Sequence, residues 1–251
     1  MFALGVRYLL GRVVATHPAS RERVEWPPHP DRVFMALVAA YAETGQDEQE
    51  KMALQWLESL SPPELVAGDF LERSAVTAYV PVNDSAAPRM KAGNDLSADQ
   101  PARGRPALLP ESRPRQPRQF PTASLLDPNE TVYLRWHDSC SPEHLAALAA
   151  LCRKVTYIGH SSSLVQCWLE TAQACASLRP QWTPNESSGR IRLRITARGR
   201  FEDLLARYEA GLRPVESNRS VWDEENSRGQ SQRRPDYRRN GSARSTEPGM
   251  P

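Results

Sequence analysis

Apolar and polar residues alternate from the start of the chain, and this pattern predicts a strand. Phe2, Leu4, Val6, Tyr8 and Leu10 recur at every second position, which places them on one face of an extended segment. The same period predicts later strands at residues 76–80, 131–136, 164–170 and 190–195. The chain is therefore expected to contain a β-sheet.

Apolar residues at helical spacing predict helices between these strands. Those from Phe34 to Tyr41 recur at i, i+3, i+4 and i+7 behind Pro30, and Gly45 offers a left-handed stop. Further helices are predicted after the N-caps Asp47 and Ser141, and from Phe201 to Tyr208 before Gly211. Helices therefore fall between the predicted strands along the chain.

The order of these elements is β-α(α)-β-β-α-β, the split arrangement of ferredoxin-like domains. We therefore predict an α+β, ferredoxin-like domain over residues 1–213. Residues 83–119 show no sustained periodicity, and we interpret them as an extended basic insert between the two middle strands. Periodicity also ends near Pro214, so residues 214–251 are expected to form a polar, disordered tail.

Composition narrows the classes of protein that fit. The 251 residues carry a formal net charge of only +2, so any nucleic-acid interface must arise from where the arginines lie. The four cysteines have neither C-x-x-C nor zinc-finger spacing, which favours free thiols, no metal and no cofactor in a reducing cytoplasm. No apolar run approaches the ~18 residues of a membrane helix, and no signal-peptide pattern is present. We expect a cytoplasmic protein.

The proline-rich turn at residues 26–32, with sequence WPPHPDR, lies directly before the first helix. Its prolines fix φ and make it stiff, so cationic and aromatic groups are collected where the backbone moves least. We predict that this turn and the residues just before it form a surface that holds an anion. The candidate RNA-binding residues here are His17, Arg21, Arg23, Trp26, His29 and Arg32.

Basic residues in the predicted insert outnumber its acidic residues, and proline keeps it extended. Such a segment is suited to lie along a phosphodiester backbone, which makes it a second candidate RNA-binding region. The alternative is a solvated insertion without a binding role. The candidate residues are Arg103, Arg105, Arg113, Arg115 and Arg118.

Arg190, Arg192 and Arg194 share one face of the predicted strand at residues 190–195. Ordinary strand rise would set their guanidinium groups about 7 Å apart, close to one phosphate repeat. The planar fork of arginine suits phosphate, so we predict RNA contact. The alternative is an edge strand protected by charge.

Small side chains and hydroxyl groups follow Gly159 in a turn made of His160, Ser161, Ser162 and Ser163. Its backbone donors allow close approach to phosphate, although the lysine and spacing of a nucleotide-hydrolysing P-loop are missing. A plain turn is the alternative. Histidines at positions 17, 29 and 160 would also suit metal-independent RNA cleavage if they converged, and their spacing does not decide this.

Several long blocks of the sequence resemble a known family. They are FALGVRYLLGR at 2–12, ATHP at 15–18, EWPPHPDRVFMAL at 25–37, YVPVND at 79–84 and YIGHSSSLV at 157–165. With these blocks the chain is similar to the RAMP-superfamily subunit of the type I-G (formerly I-U) CRISPR effector. The similarity is to the Cas-five-like half of this Cas-five/Cas-six fusion, a GSU-type family, and it runs from Phe2 to about Pro214.

The resemblance implies an RRM-like RAMP domain that binds and caps the 5′ handle of the CRISPR RNA. It also implies assembly into the Cascade complex with RNA-wrapping backbone subunits and the large subunit, and through them with target DNA. Relatives continue into a second RAMP domain, and residues 214–251 are interpreted as the remnant of a linker to it, as a truncation or as a shifted reading frame. The expected protein is a non-catalytic, RNA-binding subunit of antiviral defence. The rivals are a precursor CRISPR RNA endoribonuclease and a structural adaptor without RNA contact.

Overall fold

The computed structural model describes residues 1–17, 20–75, 77–81, 115–170, 172–185, 191–212 and 236–239. Its helices are α1 (Pro30–Glu43), α2 (Glu48–Glu58), α3 (Pro142–Lys154), α4 (Ala172–Cys175) and α5 (Arg200–Glu209). The first strands are β1 (Phe2–Tyr8), β2 (Arg12–Val14), β3 (Thr16–His17), β4 (Ser20–Val24), β5 (Glu64–Val66), β6 (Phe70–Arg73) and β7 (Thr77–Pro81). The later strands are β8 (Arg115–Gln119), β9 (Thr122–Leu125), β10 (Thr131–Trp136), β11 (Val165–Glu170), β12 (Trp182–Asn185), β13 (Ile191–Arg192) and β14 (Asp236–Arg239).

The main sheet has the strand order β11-β1-β10-β5-β12-β14-β13. Strand β1 pairs antiparallel with both β10 and β11, and β10 pairs antiparallel with β5. Along the chain these four strands and the larger helices follow β1-α1-α2-β5-β10-α3-β11. The prediction of an α+β fold is confirmed.

Strand β1 is an inner strand of the four-strand set β11-β1-β10-β5, with a partner on each edge, and nearly all of its residues are apolar and buried. On one face Phe2 packs against Trp56 of α2 and stacks on Trp136 of β10, with ring centroids 5.5 and 5.1 Å apart. On the other face the indole of Trp168 lies over Gly5, where an added Cβ would come within 2.6 Å of the ring. Gly5 is therefore required by the close approach of Trp168 to the strand.

The helix boundaries follow the predicted caps. Pro30 occupies the first turn of α1, and Gly45 adopts a positive φ of 102° just beyond its end. Asp47 accepts hydrogen bonds from the backbone N–H groups of Gln49 and Glu50 in the first turn of α2, and Ser141 accepts one from the backbone N–H of His144 in the first turn of α3. These cap predictions are confirmed.

The second strand of the main sheet is β5, and the prediction of residues 76–80 for this place is wrong. Strand β5 has three residues, too few for a period to be visible, and pairing with β10 holds it in place. Residues of β7 pair instead with β8 as a separate two-stranded sheet. The predicted insert therefore ends in a paired strand, and its residues 83–114 lie outside the described residues.

The structure also differs from the predictions for residues 190–195 and for the C-terminal tail. Strand β13 contains only two residues, so the strand predicted over residues 190–195 is wrong in length. Strand β14 lies within the segment predicted to be a disordered tail, and it pairs with β12 and β13. The pairing was not visible in the sequence because it joins residues far apart in the chain.

Glu58 at the end of α2 caps the start of α5, although α5 lies far along the chain. Its side chain is 8% exposed and accepts hydrogen bonds from the backbone N–H groups of Gly199 and Phe201 at 2.9 and 2.7 Å. Gly199 itself has a positive φ of 85° and no side chain to serve as a cap. A carboxylate at a helix N-terminus also interacts favourably with the helix dipole.

Replacing Glu58 with alanine is expected to lower the free energy of unfolding by about 2–3 kcal/mol, because two N–H groups lose their acceptor. Urea unfolding at neutral pH measures the change. Glu43→Ala, which changes an exposed carboxylate on α1, is the control and should alter stability by less than about 0.5 kcal/mol. Equal effects of the two variants would contradict the capping role.

Candidate nucleic-acid interface

A buried carboxylate organises the cationic residues of the proline-rich turn. Glu25 is 0% exposed and directly follows β4. Arg32, in the first turn of α1, donates from Nε to Oε1 at 2.5 Å and from Nη2 to Oε2 at 2.8 Å. Arg194, which lies 169 positions further along the chain, donates from Nη2 to Oε2 of the same carboxylate at 3.1 Å. We call Glu25, His29, Arg32 and Arg194 the Glu25 cluster.

The arginines set the charge state of this cluster. Burial alone would raise the pKa of Glu25, but hydrogen bonding and charge from Arg32, with contributions from His29 and Arg194, lower it to about 2. Burial lowers the pKa of His29 to about 4, against the opposing effect of Glu25. His29 Nδ1 accepts from the backbone N–H of Arg194 at 3.4 Å, as a neutral imidazole would. Its 3.3 Å approach to Glu25 is therefore not an ion pair at neutral pH.

Lowering the pH is expected to destabilise the protein. Between about pH 6.5 and 4 the unfolded chain binds a proton at His29 that the folded chain excludes, so stability is present above this window and is lost on acidification. The loss from pH 7 to 4.5 should be about 2 kcal/mol by urea unfolding. Glu25 adds a further loss as pH falls from about 4.5 towards 2. His29→Gln should reduce the pH dependence of the free energy of unfolding between about pH 6.5 and 4. The same pH dependence in this variant as in the wild type would show that His29 is not the group responsible.

The cluster leaves an excess of positive charge at the surface. Glu25 supplies one negative charge against two from Arg32 and Arg194, whose side chains are 15% and 28% exposed. Exposed Arg23 on β4 adds another positive charge beside His17, and the carboxylate of Glu72, which accepts from the backbone N–H of Val24, offsets it. Burial, followed by the charge of Arg23, lowers the pKa of His17. The two arginines of the cluster therefore exceed Glu25 by one positive charge and are held in place by it.

The turn after Gly159 sits directly on this surface. A Cβ at Gly159 would lie 3.2 Å from the carbonyl oxygen of Val14 and 3.6 Å from Cδ of Arg32, and the residue has a positive φ of 85°. The Ser163 hydroxyl accepts from the backbone N–H of Val14 at 2.8 Å and donates to its carbonyl oxygen at 3.3 Å. Ser163 therefore anchors the turn to β2 rather than contacting a ligand.

His160 is exposed at the tip of this turn and is held by Ser162. Its Nδ1 accepts from the backbone N–H of Ser162 at 3.2 Å and lies 2.8 Å from the hydroxyl of the same residue. Because a backbone N–H can only donate, Nδ1 carries a lone pair, and the proton of the neutral ring is on Nε2. The ring of Phe120, which follows β8, contacts the imidazole with centroids 5.2 Å apart.

The structure brings only some of the predicted RNA-binding residues together at the surface. Trp26 and His29 were predicted at the surface, and this is wrong, because they are 9% and 2% exposed. Trp26 packs between Tyr8 and Phe70, and its Nε1 donates to the carbonyl oxygen of Gly68 at 3.0 Å. The large ring is thus part of the core, where it cannot stack on a base.

The predicted row of arginines is also corrected. Arg194 lies beyond the end of β13 and is bound to Glu25, so it does not continue a strand face with Arg192. Arg32 is likewise bound to Glu25 and cannot give its whole fork to phosphate. The predicted residues that lie at the surface are His17, Arg23, Arg118, His160, Ser161 and Ser162.

The other predicted residues lie outside what the structure describes. Arg103, Arg105, Arg113 and Arg190 belong to undescribed segments. The side chains of Arg21, Arg115 and Arg192 are likewise outside the described part, although their backbones lie in strands. Their contact with RNA stays a prediction.

Sequence reasoning missed two residues that the structure places in this region. Glu25 was passed over because a single carboxylate beside a proline-rich turn has no distinctive spacing, and its partner Arg194 lies 169 positions away. Phe120 was missed because it is a lone aromatic residue after a segment without visible period. A signal for Glu25 was present, since a carboxylate next to several cationic residues is a natural ion-pair partner.

Other classes of site can be tested on the described residues. None of the described His, Cys, Asp and Glu side chains come together in threes as a metal ion would require. The four cysteines are free thiols, as expected, and burial raises the pKa of Cys152 to about 12. Within the described ranges, every helix is too short or too polar to cross a bilayer.

Comparison with known families gives a match over nearly the whole chain. The model of the CRISPR-associated protein, GSU0054 family, matches residues 2–243. No curated protein matches the chain. The matched region includes the Glu25 cluster, the turn at His160 and all five helices.

Proposed function

Because the chain belongs to the GSU0054 family of CRISPR-associated proteins, we propose that it is an RNA-binding subunit of a CRISPR effector complex. In this proposal it binds and caps the 5′ handle of the CRISPR RNA in a type I-G Cascade. It corresponds to the Cas-five-like half of the RAMP subunit, and its partners are the backbone subunits and the large subunit. The order β11-β1-β10-β5, fourth-first-third-second along the chain, supports a ferredoxin-like interpretation of the domain.

The observation that carries the proposal is the Glu25 cluster beside the exposed turn at His160. Glu25 fixes two arginines in a position where they still leave a net positive charge. Fixed cations lose less side-chain entropy when they bind phosphate than mobile ones do. A backbone-binding surface of this kind suits any nucleic acid, and membership of a CRISPR-associated family supports CRISPR RNA as the ligand.

The endoribonuclease alternative requires a base for the 2′-hydroxyl and an acid for the leaving oxygen. The His17 and His29 rings lie 6.4 Å apart, but His29 is buried and its Nδ1 accepts from the backbone N–H of Arg194, so it is not placed to act as the base. The outward Nε2–H of His160 would suit a general acid as well as a donor to phosphate. The burial of His29 supports binding over cleavage, so we propose a non-catalytic subunit.

Purification from cells that carry the complete CRISPR locus tests the proposal. The chain is expected to co-purify with a guide RNA whose 5′ repeat-derived end is protected from ribonuclease. An assembled complex that forms and persists without RNA would instead support the adaptor alternative. Defined cleavage of repeat RNA in chelator, lost in His160→Ala, would support the endoribonuclease.

A further inference from the structure

We propose that Phe120 and His160 form a binding site for one unpaired nucleotide of the RNA, with its phosphate on His160 and its base on Phe120. The inference rests on the proposed function and adds Phe120, to which neither the sequence motifs nor the family match gives a role. In this site His160 donates from Nε2 to a phosphate oxygen. Phe120 offers its ring as a stacking surface for the base.

The first step of the argument is that His160 is held as an oriented donor. Ser162 engages Nδ1 by its backbone N–H and its hydroxyl, which leaves the proton on Nε2. The backbone of His160 is held as well, since its N–H donates to the carbonyl oxygen of Val14 at 3.2 Å and its carbonyl accepts from Ser163 at 2.8 Å. Nε2 of this exposed ring has no hydrogen-bond partner among the described residues. The ring therefore presents a donor for an incoming acceptor.

The second step concerns the exposure of Phe120. Its side chain is 39% exposed, and the ring meets His160 at an interplanar angle of 66° with centroids 5.2 Å apart. This exposure leaves part of the ring accessible to a flat ligand. The hydroxyl of Thr122 donates to the carbonyl oxygen of Phe120 at 3.0 Å and supports the loop. An exposed aromatic ring beside a donor is suited to a base and its phosphate.

The third step is the charge around the pair. Gly159 holds the turn against Arg32 of the Glu25 cluster, and exposed Arg118 lies two positions before Phe120. A positive field favours a phosphodiester over an uncharged or basic peptide, and the aromatic ring beside it favours a nucleotide over an acidic peptide. Stacking on phenylalanine accepts any base, so this nucleotide is expected to be held with little base preference.

Binding of repeat-derived handle RNA to the purified chain tests the site. Phe120→Ala should weaken binding about 10-fold, whereas Phe120→Trp should retain it, because either aromatic ring offers a face on which a base stacks. His160→Ala should also weaken binding several-fold. His160→Gln should restore most of the affinity, since its amide N–H reaches the place of Nε2, while His160→Asn should not.

Tyr208→Ala is the matched control, because Tyr208 is an aromatic residue that is 48% exposed on α5. Thermal melting of each variant verifies that the fold is kept. Unchanged affinity in Phe120→Ala and His160→Ala, with handle RNA bound by the wild type, would overturn this site and leave the proposed function standing. Failure of the wild type to bind handle RNA would overturn both. Variants that bind RNA normally but lose assembly with other subunits would assign the surface to a protein partner and overturn the inference.

Discussion

Replacing Arg32 with alanine is expected to lower the free energy of unfolding by about 3–5 kcal/mol. The change removes the two strongest hydrogen bonds of Glu25, a carboxylate that is 0% exposed. Arg194 would remain as its only arginine partner in the described cluster, at 3.1 Å and with one hydrogen bond. A buried charge that loses its main partner cannot recover its hydration, and this desolvation accounts for most of the cost. Urea unfolding at pH 7 measures the loss.

Two further variants separate this mechanism from a general loss of arginine. Arg23→Ala removes an exposed arginine close by and should change stability by less than about 0.5 kcal/mol. Combining Arg32→Ala with Glu25→Gln removes the uncompensated charge and leaves the lost packing the same, so the double variant should be more stable than Arg32→Ala alone. A double variant that is no more stable than Arg32→Ala would mean that Arg32 acts through its packing and not through Glu25.

Reversing the charge of Arg23 and Arg118 together is expected to weaken binding of handle RNA about 100-fold at moderate salt. Both side chains are exposed, one beside the Glu25 cluster and one beside Phe120. Each phosphate contact releases counterions when it forms, so losing two contacts should also reduce the slope of log affinity against log salt by about 1–2. Titrations at several salt concentrations measure both quantities.

Arg179→Glu is the matched control for charge, because Arg179 is exposed near the opposite end of the main sheet. It should leave the salt slope unchanged and the affinity within about threefold. An equal loss in the control and the double variant would show that only overall charge matters. In that case the surface around Glu25 and Phe120 would not be the RNA interface.

Local signals predicted the helices well. Pro30 and Gly45 bound α1, and Asp47 and Ser141 cap α2 and α3, because these residues act on the backbone within one turn of themselves. The central strand β1 was equally clear, since seven residues in succession are long enough to show a period. These features depend on near neighbours in the chain.

The second strand of the sheet could not be found in the same way. Strand β5 has only three residues, and it is a strand because β10 and β12 offer it hydrogen-bond partners. Residues 76–80 show a better period, yet β7 pairs with β8 instead. Strand propensity shows only that a segment can form a strand. Where that strand lies depends on which partner strand is available to it.

The candidate site likewise contains some features that the sequence predicted and others that only the folded structure shows. Composition singled out the proline-rich turn and the turn at His160, and the structure places them side by side through Gly159 and Arg32. Residue type alone could not show that Trp26 is packed on Tyr8 or that Ser163 is bound to Val14. Burial depends on what packs above a side chain, and those neighbours come from distant segments.

By itself, the sequence determined the main helices, the central strand, the cationic character of one region and the CRISPR-associated family. Those features depend on local backbone preferences and on long blocks of residues that are recognisable one after another. The tertiary structure alone decided which cations face solvent, because Glu25 meets Arg32 and Arg194 only after folding brings residues 169 positions apart together. A charge becomes part of the interior or part of a binding surface according to the partner that it finds in three dimensions.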